Sequence, residues 1–341
     1  MAAPVTLADV AREAGVSLAT ASRAINGSST RVVRDDLRAR VRAAAQQLHY
    51  TPNANAQAMA RGATTLLGLV VHDIADPYFA SIAAGVAEAA GAAGLQMTLV
   101  STQRDPAQEV RLVDLLKRQR ARAVILAGGR TDDGHGFADL RHAIALHRAV
   151  GGAVAVIGEP VLGVDCVVAE NGKGAAELAR ALVGLGYTDF AVLGGPKHHL
   201  TARTRREAFL DELAAHGIAV PPHRRIESAF SREGGEQAMR ALLDSGERPQ
   251  LVFAANDLVA LGALAAARDH GLCVPDDVAV AGFADIPTLR DVVPGLTTVH
   301  IPLVEMGVAA TRLALSEPSD EPRLLRVPAD VVLRDSTPAR R

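Results

Sequence analysis

From Thr65 onward the chain repeats one beat, a short apolar run followed by a helix-length segment. LLGLVV precedes a helical pattern over 77–92, LQMTLV one over 106–118 and AVILAG one near 138–149, and AVAVIG closes the series. After Val164 the beat restarts, with helical segments over 172–184, 203–215, 233–244 and 257–270 interleaved with FAVLGG, RIESAF, LVFAAND and VAVAGF. Strands that are apolar on both faces and alternate with helices build a parallel sheet covered by helices. The restart gives an α/β body of two doubly wound parallel-sheet lobes. A last strand (LTTVHI), a helix over 302–316 and the segment VPADVVLRDS are expected to cross between the lobes. The expected division is 64–165 plus about 300–325 for the first lobe, and 166–299 plus about 326–335 for the second.

Residues 1–62 have a different character. Eight arginines (12, 23, 31, 34, 38, 40, 42 and 61) stand against Asp9, Glu13, Asp35 and Asp36, a net of +4, which leaves −6 for the rest of a chain whose total is −2. A basic head on an acidic body points to a polyanion as partner of the head alone. Thr6 and Asp9 make a capping-box-like start, and Leu7, Val10, Ala11 and Ala14 follow at helical spacing until Gly15. Val16 fills a turn, and Ser17 caps a second helix to about Asn26, with Ala21, Ala24 and Ile25 inward and Leu18, Ala19, Ser22 and Arg23 outward. A third helix over about 34–49 places Leu37, Val41, Ala44 and Leu48 on one stripe. This is an all-α helix-turn-helix domain over residues 1–50.

In that motif the start of the second helix enters the major groove of double-stranded DNA. Leu18 and Ala19 then meet thymine methyl groups, and Arg23 offers its planar fork to guanine. Thr6, Ser17, Thr20 and Ser22 suit phosphate contacts, although Thr6 and Ser17 serve equally as helix caps. Residues 51–63 read as a hinge: Thr51-Pro52-Asn53 breaks the chain, and NANAQAMAR (53–61) is helix-compatible but too short to hold alone. Two copies paired on the minor groove would support each other, with Met59 the large apolar side chain available as a wedge between base steps.

VTLADVAREAGVSLATASRAINGS followed by HYTPNANAQAMARG closely resembles the head and hinge of the LacI/GalR family of transcriptional regulators, and the body continues the resemblance almost to the C-terminus. The resemblance implies a periplasmic-binding-protein-like body that clamps a small-molecule effector, repression at a pseudo-palindromic operator, and a homodimer, with a tetramer left open. It implies no cofactor and no metal, and it adds Asn26, Asn53 and Ala56 to the DNA-facing set. Met59 stands where the family usually has leucine, and Ala54 where a longer residue is common.

Ligands in open parallel sheets bind beyond the carboxyl ends of the strands. That rule selects His72 and Asp73, and Tyr78 and Phe79 at the opening of the next helix; the resemblance places this HDIADPYF segment at the cleft. The resemblance also matches Asn171 (AENG) to a cleft position, Arg205 (TARTRREAF) to an arginine that clamps ligand oxygens and Phe230 to an aromatic stacking slot. Asn256, followed by Asp257 in AAND, is matched to an asparagine that binds a hydroxyl. Ala284 (VAVAGFADIP) stands where sugar-binding members commonly carry aspartate, with Asp285 the carboxylate left nearby. Fewer carboxylates beside Arg205 favour an anionic effector, a sugar acid or sugar phosphate, over a neutral sugar.

A solute-binding protein of an uptake system would share the body but not the head. Met1–Asp9 lack the basic start and apolar core of a secretory signal, and no run approaches the roughly 18 apolar residues of a membrane span, so a cytoplasmic, nucleoid-associated protein with no membrane partner is expected. No GxSxG, HExxH or phosphate-loop motif speaks for an enzyme, and His198 with His199 is a lone pair in a loop. Cys166 and Cys273, far apart and without CxxC spacing, are expected to be reduced thiols buried in the core.

Overall fold

The computed structural model describes residues 5–26, 33–51, 64–132 and 136–340. The chain divides into two units, Met1–Thr64 and Thr65–Arg341. The hinge residues Asn53, Ala56 and Met59 lie outside the described residues.

In the first unit, α1 (Leu7–Glu13) starts at Thr6, whose backbone N–H donates to the Asp9 carboxylate at 3.0 Å in a capping box. Gly15 (φ +62°) ends it in a conformation that L side chains rarely adopt. Arg40, from α3 (Asp35–Gln47), closes the same helix end by donating to the Ala14 carbonyl at 2.6 Å. Ser17 Oγ accepts the Thr20 N–H at 3.1 Å and so caps α2 (Leu18–Asn26). Val10, Ala21 and Val41 are fully buried where the three helices meet, with Leu37 and Leu48 packed against them.

In the second unit the apolar runs become strands: β1 (Leu66–Val71), β2 (Gln96–Ser101), β3 (Ala123–Ala127), β4 (Ala153–Ile157) and β5 (Asp165–Ala169). With β11 (Leu324–Val327) they form a six-stranded parallel sheet in the order β11-β5-β4-β3-β1-β2. The second sheet, also parallel, orders β6 (Phe190–Leu193), β7 (Arg225–Ile226), β8 (Leu251–Ala254) and β9 (Ala279–Ala281) as β7-β6-β8-β9. Every residue of β3 and of β8 is buried, as expected of strands covered on both faces. The covering helices pack on glycine. In the first lobe a Cβ at Gly85 or Gly307 would collide with the backbone across the crossing of α4 (Pro77–Ala92) and α11 (Leu303–Leu315). Gly235 and Gly262 do the same between α9 (Arg232–Asp244) and α10 (Asp257–Asp269) in the second.

The lobe boundaries differ from the sequence expectation. DCVVA (165–169) is a strand of the first sheet, bonded to β4 and β11, so the first lobe runs on to Ala169 rather than stopping at 165. Asp165 anchors it by accepting the Arg323 backbone N–H at 2.8 Å, which ties β5 to the entry of β11. Residues 324–327 therefore belong to the first lobe, and only β12 (Asp330–Val332) returns to pair antiparallel with β10 (Thr298–His300). RIESAF gives a strand of two residues paired with the end of β6, and beyond it the Ser228 N–H donates to the Gly195 carbonyl at 3.3 Å without extending the strand. Cys166 is buried as expected, but Cys273 is exposed, in a surface turn whose N–H is capped by Asp277 at 2.7 Å. Among the described residues no helix is long and apolar enough to cross a membrane.

Candidate functional site

On α2 the buried stripe, Ala21 and Ala24, leaves Leu18 (53% exposed), Ala19, Ser22 and Arg23 on the outside. These side chains lean on their own helix. Arg23 Nε donates to the Ala19 carbonyl at 3.1 Å, Asn26 Nδ2 to Ser22 at 3.2 Å, and the Ser17 and Thr20 hydroxyls bond each other at 2.9 Å. The result is a stripe of apolar, hydroxyl and guanidinium groups on a rigid helix start. Groups of these kinds, carried on a helix, are suited to contacts with base edges in a major groove.

In the body a cleft with about 730 Å³ of space, part of it open to solvent, lies at the carboxyl ends of the strands and takes residues from both lobes. Helices α4, α7 (Asn171–Gly184), α8 (Leu200–Ala215) and α10 all begin there, which brings the partly positive ends of four helix dipoles to one place. Their N-terminal residues do double duty. Asn256 Oδ1 accepts the Val259 N–H at 2.9 Å, His199 Nδ1 the Ala202 N–H at 3.3 Å, and Asp76 Oδ1 the Tyr78 N–H at 2.9 Å.

Arg205, on the first turns of α8, is 3% exposed. Its Nε donates to Asn171 Oδ1 at 2.8 Å, its Nη1 to the Ala255 carbonyl at 2.9 Å, and its guanidinium lies 4.0 Å over the Phe283 ring. Burial pulls its pKa down to about 10. Phe230, beside Gly195, meets the His199 ring edge-on at 5.0 Å, and Tyr78 meets Phe79 edge-on at 5.2 Å. Burial, reinforced by nearby arginines, pulls His72 down to about 3 and His199 to about 4, so both rings are neutral near pH 7. Asp257 moves the other way, pushed up to about 6 by burial. It accepts the Thr298 hydroxyl at 2.7 Å and the Ile286 N–H at 3.0 Å.

Of the side chains singled out from the sequence, His72, Tyr78, Phe79, Asn171, Arg205, Phe230 and Asn256 line this cleft together. Asp73 and Asp285 are not among the lining residues. Asp73 accepts the Ala75 N–H at 2.9 Å and so closes its own turn. Ala284 (φ +128°) and Asp285 (φ +58°) take backbone conformations unusual for residues with a side chain. Asp285 is held instead by Arg334 at 2.7 Å and His300 at 3.1 Å. The carboxylates at the cleft are Asp76 and Asp257, which corrects the expectation that Asp285 is the one left beside Arg205.

Arg104 and His199 also line the cleft and were missed. The strand-end rule would have found Arg104, which follows β2. His199 reads from the sequence only as one of a lone histidine pair in a loop, ahead of the helix expected over 203–215. Among the described residues no cluster of three or more His, Cys, Asp or Glu is placed to hold a metal ion.

Comparison with known proteins places both units. Residues 6–53 match the family described as bacterial regulatory proteins, lacI family, and residues 179–337 match the periplasmic binding protein-like domain. The HTH-type transcriptional regulator DegA of Bacillus subtilis is 32% identical over 97% of this chain and 98% of its own length. GalR of Escherichia coli is 34% identical over 93% of this chain and 90% of its own. The crystal structure of the lac repressor dimer bound to operator and the anti-inducer ONPF superposes with a TM-score of 0.85 at 27% identity, covering 99% of this chain and 100% of that one.

Proposed function

The chain belongs to the LacI family of bacterial regulatory proteins, and from that premise we propose how this DNA-binding transcriptional regulator divides its task between its two units. Leu18, Ala19 and Arg23 read base edges; Thr6, Ser17, Thr20, Ser22 and Asn26 set the register on phosphates. Hinge residues 51–63, with Asn53, Ala56 and Met59, complete the DNA contact from the minor groove. One head spans few base pairs, so the working form is a homodimer on a pseudo-palindrome, in the cytoplasm.

The body senses a small hydroxylated effector of the sugar or sugar-acid class and carries out no reaction. Arg205 clamps ligand oxygens, Asn171 and Asn256 bind hydroxyls, and Phe230 packs against an apolar ring face, with His72, Tyr78 and Phe79 closing the other wall. Three chain crossings link the lobes, between β5 and α7, between β10 and α11, and between β11 and β12. A ligand that touches both lobes acts through them by favouring one interlobe arrangement over another. The observation that carries this reading is Arg205, held by two hydrogen bonds at a cleft wall supplied by both lobes.

The test selects inverted-repeat duplexes with the full-length protein and measures their affinity by anisotropy, with and without a panel of sugars and sugar acids. A selected repeat whose affinity shifts with at least one compound, through Arg205, supports the assignment. Failure to select any inverted repeat at low salt, liganded or empty, overturns it.

A further inference from the structure

The hydrogen-bond directions inside the cleft are set by the fold before any ligand arrives. Asn171 Oδ1 is taken by Arg205, Asn256 Oδ1 by the Val259 N–H and His199 Nδ1 by the Ala202 N–H. Each of these side chains therefore turns its other end, an amide NH2 or an imidazole Nε2–H, away from those partners as a donor. The His199 tautomer follows from the same bond: with Nδ1 accepting, the neutral ring carries its proton on Nε2. Three convertible side chains at the cleft, Asn171, Asn256 and His199, are thus held as donors, which suits acceptor groups on a ligand.

A second compartment, with about 770 Å³ of space partly open to solvent, adjoins the cleft and shares His72, Arg104, Gly129 and His199 with it. Arg130 lines this compartment at 5% exposure, with Nη2 on Glu109 at 2.8 Å, Nη1 on the Gly129 carbonyl at 3.5 Å and a buried Nε that has no partner among the described residues. Both carboxylates of the lining are already committed. Glu109 is paired with Arg130, and Asp105 caps the Ala107 N–H at 2.9 Å and pairs with Arg111 at 3.0 Å. Arg104 is offered to the junction from a turn in which Gln103 (φ +51°) and Arg104 (φ +64°) are both left-handed. Its Nη2 reaches across the lobes to the Phe230 carbonyl at 2.8 Å. At Gly129 any side chain would run into the His199 ring, so the glycine keeps that ring at the junction.

We infer that the effector is two-ended: a hydroxylated ring between Arg205, Asn256 and Phe230, and a carboxylate or phosphoryl group seated at the junction on Arg104, His199 and Arg130. The inference rests on the effector reading given above and names the chemistry of that ligand. Arg205 is then the ring's clamp, because its bonds to Asn171 and Ala255 hold it at the cleft wall beside Phe230 and Asn256. The anion goes to the neighbouring compartment, where the buried Arg130 Nε has no partner among the described residues.

Matched sets of probes test it on the full chain: glucose, gluconate and glucose 6-phosphate, and galactose, galactonate and galactose 6-phosphate, by calorimetry and melting temperature. In at least one set the acid or the phosphate binds about tenfold tighter than its neutral partner, a factor typical of one charge-assisted contact. Which of the two leads identifies the anionic group. Arg104→Gln lowers affinity for that anionic probe about tenfold more than for the neutral one, and Arg104→Lys, which keeps the charge, recovers part of the loss.

Neutral sugars binding as tightly as their charged partners would overturn the anion subsite and leave the effector cleft standing. A preference for the charged probe that survives Arg104→Gln and His199→Gln alike would also overturn it, by placing the anion elsewhere. No response to any probe, in melting or in operator affinity, would sink the effector reading and this inference with it.

Discussion

The polar side chains on the outer face of α2 bond within four residues of themselves: Arg23 to Ala19, Asn26 to Ser22, Ser17 to Thr20. In the cleft the corresponding bonds join Arg205 to Asn171 across 34 residues, Arg205 to Ala255 across 50 and Arg104 to Phe230 across 126. The difference shows where stability and recognition coincide. On α2 the reading groups stand on a helix held by other residues, so they can change with little cost to the head. In the cleft the groups offered to a ligand also hold the wall together, so changing ligand preference disturbs the body.

The sharpest attempt to break this contrast is Arg205→Ala. It strands Asn171 Oδ1 and the Ala255 carbonyl in a buried site and removes a cation from the Phe283 face. Calorimetric unfolding should show a loss on the order of 2–4 kcal/mol in the body, together with loss of the effector response. A variant that loses the response at full stability would erase the distinction between the two regions. Arg23→Ala probes the other side. Melting should move by no more than about 0.5 kcal/mol, while discrimination between the selected operator and a scrambled duplex falls by about 1–3 kcal/mol in anisotropy titrations.

Thr6→Ala removes one half of a capping box and should destabilise the head by about 1 kcal/mol, read by hydrogen exchange over residues 7–13 in the full chain. Exchange spreading into the body would show that the head's bonds are less local than they look.

The smallest effect is protonic. Histidines of the unfolded chain take up protons near pH 6.5, but folded His72 and His199 do so only near 3 and 4, so each lowers stability as the pH falls through 6.5. Asp257, with its folded pKa raised to about 6, has the opposite sign: its stabilising share is complete below 3.8 and lost as the pH rises through 6. His199→Gln should therefore reduce the loss of stability between pH 7.5 and 6 by about 0.8 kcal/mol in paired melts. An unchanged slope would mean that the ring is charged in the cleft.

Much of this was legible beforehand, for a physical reason. A capping box, an inward stripe of alanine and valine, and an apolar run between helical segments are each set by neighbours within one turn or one strand. Thr6, Ala21, Val41 and the β1–β4 runs therefore sit where the spacing put them. The strand-end rule found His72 on the same grounds. It also selected Asp73, which faces its own turn, because the rule places a residue and not the direction of its side chain.

By itself, then, the amino-acid order determined the three-helix head, the two wound lobes and the segments that supply the cleft, since all of these follow from short-range periodicity and capping. Only the tertiary structure decided that DCVVA joins the first lobe, that Asp257 faces the cleft while Asp285 is tied to Arg334 and His300, and that Arg104 and His199 meet beside Arg205's wall. Those outcomes depend on hydrogen bonds and ion pairs between residues brought together from distant stretches of chain, where spacing along the sequence carries no geometric information.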